Sequence, residues 1–79
     1  MDALDSLLQA ARIRGKLPRP DVRRYLRESA GLTQQDLASA VGVDRSTIAR
    51  YEHGTRQPCR QVAARYAAAL ARLTRETIL

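Results

Sequence analysis

Between Thr33 and Gly54 the chain reads TQQDLASAVGVDRSTIARYEHG, and this stretch leaves few options for folding. Leu37, Ala38 and Val41 recur at the one-, three- and four-residue offsets of a single helix face. Beyond Gly42, Ile48 and Tyr51 repeat that spacing over a second segment, about Asp44 to His53. Thr33 and Asp44 each stand where a helix begins, and both carry a side-chain oxygen able to accept an N–H left free in the first turn. Asp36, three residues after Thr33, completes an approximate capping box, with Asp in place of the usual Glu or Gln. Gly42 falls where the chain must turn sharply, which glycine permits by reaching positive φ without a Cβ clash. Gly54 closes the second segment in the manner of a glycine C-cap. The stretch therefore predicts two short capped helices joined by a tight turn.

Such a pair is a helix-turn-helix, whose second helix can enter the major groove of DNA. The residues Leu32-Thr33-Gln34-Gln35-Asp36-Leu37-Ala38, Val41-Gly42-Val43, Ser46-Thr47-Ile48-Ala49-Arg50-Tyr51-Glu52, Gly54 and Pro58 resemble the Cro and lambda-repressor type of this motif. The resemblance extends more loosely over Asp21 to Leu73. It implies an all-α, compact bundle of five to six short helices that contains the helix-turn-helix.

The rest of the chain fits that expectation. Seventy-nine residues make one domain, near the lower limit for folding without staples. One Cys excludes both a disulfide framework and a zinc cluster. Three Tyr, with no Trp or Phe, leave the core to Leu, Val, Ile and many Ala, which suits closely packed short helices. No apolar run approaches the roughly 20 residues of a membrane span. Asp2 and Asp5 occupy the place where a signal peptide would be basic. The expectation is a soluble protein of a reducing compartment, the bacterial cytoplasm. Fourteen basic residues against eight acidic ones give a net charge of +6, which favours a polyanionic partner. All the basic residues except Lys16 are Arg, whose planar fork suits phosphate and guanine.

Three divisions follow along the chain. Residues 1–19 comprise an N-terminal helix from Met1 to about Ile13, with a stripe of Leu4, Leu7, Leu8 and Ala11, and a basic Pro/Gly linker, RGKLPRP. The stripe can pack on its own domain or on a second subunit. The linker is either solvated or a basic arm of the kind that reaches into a minor groove. Residues 20–73 form the helix-turn-helix domain. Its first helix opens at Pro20 or Asp21 and ends before Gly31, with Val22, Leu26 and Ala30 inward and Arg23, Arg24, Arg27 and Glu28 largely outward. After the motif, Pro58 leads into a helix from about Cys59 to Leu73, striped by Val62, Tyr66, Ala69 or Leu70, and Leu73. Residues 74–79 form a tail that either continues this helix or frays.

Reading DNA requires exposed side chains near the start of the second motif helix, because that end dips into the groove. Those positions hold Arg45, Ser46 and Thr47, and one turn later Arg50. Each Arg can grip a guanine through O6 and N7, and the Thr methyl can pack on a thymine methyl. Phosphate contacts are expected from Gln34, in a first turn whose N–H groups favour an anion, and from His53, Thr55 and Arg56 beyond the second helix. The family resemblance adds an Arg27–Glu52 ion pair joining the first helix to the end of the recognition helix, with a phosphate contact as the competing or additional role for Arg27. Tyr25, Tyr51 and Tyr66 are read as packing residues with a polar tip, and Cys59 as a packed thiol.

No catalytic constellation, glycine-rich phosphate loop, metal cluster or cofactor motif is present, so an enzyme with a small-molecule substrate is not expected. The function read from these residues is a sequence-specific regulator on a double-stranded DNA operator. It would be a phage or bacterial repressor, small and Cro-like, acting as a homodimer without membrane contact. Two other readings are an antitoxin that masks a toxin and represses its own operon, and a helical protein-interaction module.

Overall fold

The structure, a computed structural model, describes residues 3–5 and 17–78, without the side chains of residues 77 and 78. Four helices account for most of them: α1 (Pro20–Ser29), α2 (Gln34–Val41), α3 (Arg45–His53) and α4 (Arg60–Ile78). Residues 3–5 are helical and exposed. The rest of the helix expected from Met1 to Ile13, and Arg14 to Lys16 of the basic linker, lie outside the described residues. No strand occurs among the described residues, and the all-α bundle expected from the sequence is the architecture found.

Local chemistry sets each boundary. Pro20 opens α1 at a position where its missing N–H costs nothing, and Asp21 sits at the positive end of the helix dipole. Thr33 and Asp36 form the full capping box: the Thr33 hydroxyl accepts from the Asp36 N–H at 3.0 Å, and Asp36 accepts from the Thr33 N–H at 2.9 Å. Gly42 ends α2 at φ +85°, and the Ala38 carbonyl accepts from both Gly42 and Val43 N–H groups. A side chain at Gly42 would be strained in this left-handed conformation. The last helix runs five residues beyond the Leu73 boundary expected from sequence. Nothing after Pro58 breaks it, and the Thr74 hydroxyl donates back to the Leu70 carbonyl at 2.8 Å instead of interrupting the turn.

The core lies where all four helices meet. Helix α2 packs on α3, α1 packs on both α3 and α4, and α2 rests on α4. Leu37, Val41, Ile48, Tyr66, Leu70 and Pro58 are fully buried, with Leu26, Ala38, Tyr51 and Ala63 beside them. Burying each large aliphatic side chain contributes about 1.5–3 kcal/mol. The rings of Tyr51 and Tyr66 stack at 5.4 Å, and the Arg23 guanidinium lies 5.8 Å from the Tyr66 ring centre.

Several side chains lie on the other side of the surface from where their spacing puts them. Tyr25 is not a packing residue but is 63% exposed, and Ala30 is exposed because α1 has ended at Ser29. Cys59 is exposed rather than packed. Arg27 turns inward. Its Nε and Nη2 donate to the two carboxylate oxygens of Glu52 at 2.7 and 3.0 Å, and its Nη1 donates to the Leu32 carbonyl at 2.8 Å. Both partners are only 8% exposed. Arg23 also folds back, donating to the Pro18 carbonyl at 2.7 Å and the Tyr51 carbonyl at 3.2 Å.

A buried pair of this kind is far more costly to break than to replace. Glu52→Ala leaves the buried Arg27 with only the longer contact to Glu28, at 3.6 Å, and is expected to cost about 3 kcal/mol in urea denaturation. Combining Arg27→Met with Glu52→Leu is expected to recover most of that loss, because no unpaired charge then remains.

Candidate nucleic-acid interface

Helix α3 projects its first turn and one further position away from the core. Asp44, the N-cap, accepts the Thr47 N–H at 2.8 Å, the Thr47 hydroxyl at 2.6 Å and the Ser46 hydroxyl at 2.9 Å, all on one carboxylate oxygen. These bonds, those of Thr47 above all, hold the Asp44 carboxyl at a pKa of about 2, so it is ionised at neutral pH. Inward, Ile48 and Tyr51 anchor the helix to the core, and at its far end Glu52 is gripped by Arg27. Gly54, at φ +75°, closes it, with the Arg50 and Tyr51 carbonyls accepting the returning backbone N–H groups.

What remains outward is Arg45, Ser46, Ala49 and Arg50: three exposed residues, with Ala49 half-buried between them. Arg45 makes no hydrogen bond or ion pair among the described residues, and Arg50 has only a through-space interaction with Asp44. Thr47 does not join them. It is 8% exposed, and its hydroxyl is committed to the cap, because it sits on the side of the first turn that faces the loop before α4. Ala49 was not singled out in the sequence because a methyl carries no recognisable chemistry. Its position, four residues after Arg45 and three after Ser46, is the signal that could have found it.

A shallow cleft beside this face is lined by Arg24, Arg27, Gln34, Glu52 and His53. The Gln34 amide donates to Glu52 at 3.2 Å, which fixes its side chain at the mouth of the cleft. The capping box consumes the Asp36 N–H, leaving those of Gln34 and Gln35 as the open donors of the first turn of α2. His53, the last residue of α3, and Thr55 and Arg56 beyond it are exposed, and the Thr55 hydroxyl donates to the Arg50 carbonyl at 3.3 Å. Arg27 lines the cleft as an ion-paired wall, with one hydrogen each of its Nε, Nη1 and Nη2 spent on Glu52 and Leu32. Arg24 is exposed and paired with Glu28 at 2.7 Å.

A helix-turn-helix family model matches residues 24–77, taking in every element of this surface. The chain belongs to the Cro and lambda-repressor type of helix-turn-helix family. No curated protein and no solved structure matches it significantly. Membership makes the chain a DNA-binding helix-turn-helix protein of a regulatory, non-enzymatic family. Among the described residues no group of His, Cys, Asp and Glu is placed to hold a metal ion, and no helix is long and apolar enough to cross a membrane.

The cap of α3 gives a signed pH effect. Asp44 titrates near 2 in the folded chain, against an ordinary value of 3.8. Its contribution is therefore complete above about pH 4 and is lost as the pH falls towards 2. Asp44→Asn is expected to lower the thermal midpoint at pH 5 to 7, with the gap to the parent closing between pH 4 and 2. A gap independent of pH would show that the carboxylate charge is not what holds the helix.

Proposed function

We propose that the chain is a sequence-specific repressor of phage or bacterial type, acting in the cytoplasm by occupying an operator and excluding polymerase. The observation that carries this reading is the pair of unspent arginines, Arg45 and Arg50, on a recognition helix secured at both ends. Each can make two hydrogen bonds to a guanine, through O6 and N7. Ser46 meets a base between them, and the Ala49 methyl packs against a thymine methyl or leaves room for close approach.

Phosphates flank this contact. Gln34 binds one with its backbone N–H and the amide hydrogen that Glu52 does not take, helped by the dipole of α2. His53, Thr55 and Arg56 hold the strand beyond the C-terminal end of α3. Two copies on a two-fold operator would place half-sites about 34–36 Å apart, one turn of duplex.

Selection from a random duplex pool tests the reading, and a recovered motif with two-fold symmetry supports the homodimer. Arg45→Ala is expected to weaken specific binding by about 1–3 kcal/mol and to relax one base position. Gln34→Ala is expected to weaken all duplexes alike. Operator affinity unchanged in both variants would reject this docking.

A further inference from the structure

The bonds around Asp44 decide the direction of a hydrogen that the heavy atoms alone leave open. An ionised carboxylate has no proton to give and can only accept. The Ser46 oxygen lies 2.9 Å from Asp44 Oδ1, so the Ser46 hydroxyl must be the donor. A serine hydroxyl has one hydrogen and two lone pairs. With its hydrogen turned back to the cap, exposed Ser46 offers the surroundings lone pairs alone. We infer that Ser46 is a specificity-determining residue that accepts a hydrogen bond from the exocyclic amino group of an adenine or cytosine, selecting such a base over guanine or thymine on the strand it faces. This rests on the DNA-reading function proposed above and names the chemistry that one position of it reads.

The major groove supplies the matching groups. Adenine N6 and cytosine N4 are donors there, whereas guanine O6 and N7 and thymine O4 are acceptors. Phosphate oxygens are acceptors too, so the Ser46 side chain is excluded from the backbone for the same reason. Turning the hydroxyl outward would forfeit a bond to a charged oxygen, a class about twice as strong as one between neutral groups. Thr47 does not compete, since its hydroxyl is drawn to the same carboxylate and is buried. The outward face of α3 thus presents donors at Arg45 and Arg50 and an acceptor between them.

The test starts from the duplex recovered by selection with the full chain. Each adenine or cytosine of one half-site is replaced in turn by purine or 2-pyrimidinone, which lack the exocyclic amino group. At one position the parent is expected to lose about 5- to 10-fold in affinity, the worth of one hydrogen bond. Ser46→Ala should lose nothing further there. Asp44→Gly removes the oxygen that holds the serine hydrogen, at a position where glycine is tolerated as an N-cap, and so frees that hydrogen. This variant is expected to admit guanine or thymine at that position. Coupling of Ser46 to a guanine or thymine oxygen in the parent, or to no base at all, would overturn the inference while leaving the DNA-reading function intact. A selection that enriches no duplex would overturn both.

Discussion

The orientation of the outward face of α3 depends on a single buried contact, the Arg27–Glu52 pair. A nine-residue helix such as α3 is too short to hold itself in water. Its inner face is anchored through Ile48 and Tyr51, two apolar contacts that would tolerate some rolling about the helix axis. The ion pair removes that freedom. A planar guanidinium meeting a carboxylate through two parallel bonds has one good orientation, and Arg27 is itself fixed by the Leu32 carbonyl. Desolvating two charges offsets most of their attraction, so the pair is a poor source of stability. It serves as a device for orientation, and it aligns Gln34 as well, whose amide rests on the same carboxylate.

Arginine is used elsewhere in the fold in the same way. Arg23 donates to the Tyr51 carbonyl near the end of α3, and Arg65 of α4 donates to the Val41 carbonyl at the end of α2, at 2.8 Å. A cation at the C-terminal end of a helix meets the negative end of its dipole and satisfies carbonyls that the helix leaves open. These arginines weld the helices together in a chain with too few aromatic residues to do so by packing alone. A net charge of +6 therefore gives a fair account of the field that draws a polyanion, but not of the number of contacts made. Arg23, Arg27 and Arg65 have their donors turned to protein, while Arg45, Arg50 and Arg56 remain exposed.

This division explains what could be read in the sequence and what could not. The caps at Thr33 and Asp44, the turn at Gly42 and the stop at Gly54 all depend on residues a few positions apart, so spacing revealed them. The inward turn of Arg23 depends on a carbonyl 28 positions away, and residue type alone placed this Arg on the solvent side. Arg27 shows the same limit, since helical periodicity set it outward and only the family resemblance suggested Glu52 as its partner. For Thr47 the choice between base and cap is a local one: the cap competes for its hydroxyl, and residue type alone does not show that the side chain is buried on Asp44. Ala49 lacked any chemical mark, and Tyr25 had the marks of a core residue but is exposed.

Side chains on this surface differ in how much freedom they must give up on meeting a duplex. An arginine loses up to about 2 kcal/mol of rotamer entropy when it is immobilised. In the proposed docking Arg45 and Arg50 would carry that cost, offset by bidentate bonds and by released counterions. Ser46 has already been ordered by Asp44 and has little left to lose. In the proposed docking both kinds read bases: the long cations would add affinity as well as discrimination, and the short hydroxyl, held by the cap that begins the helix, would add discrimination at little cost in freedom.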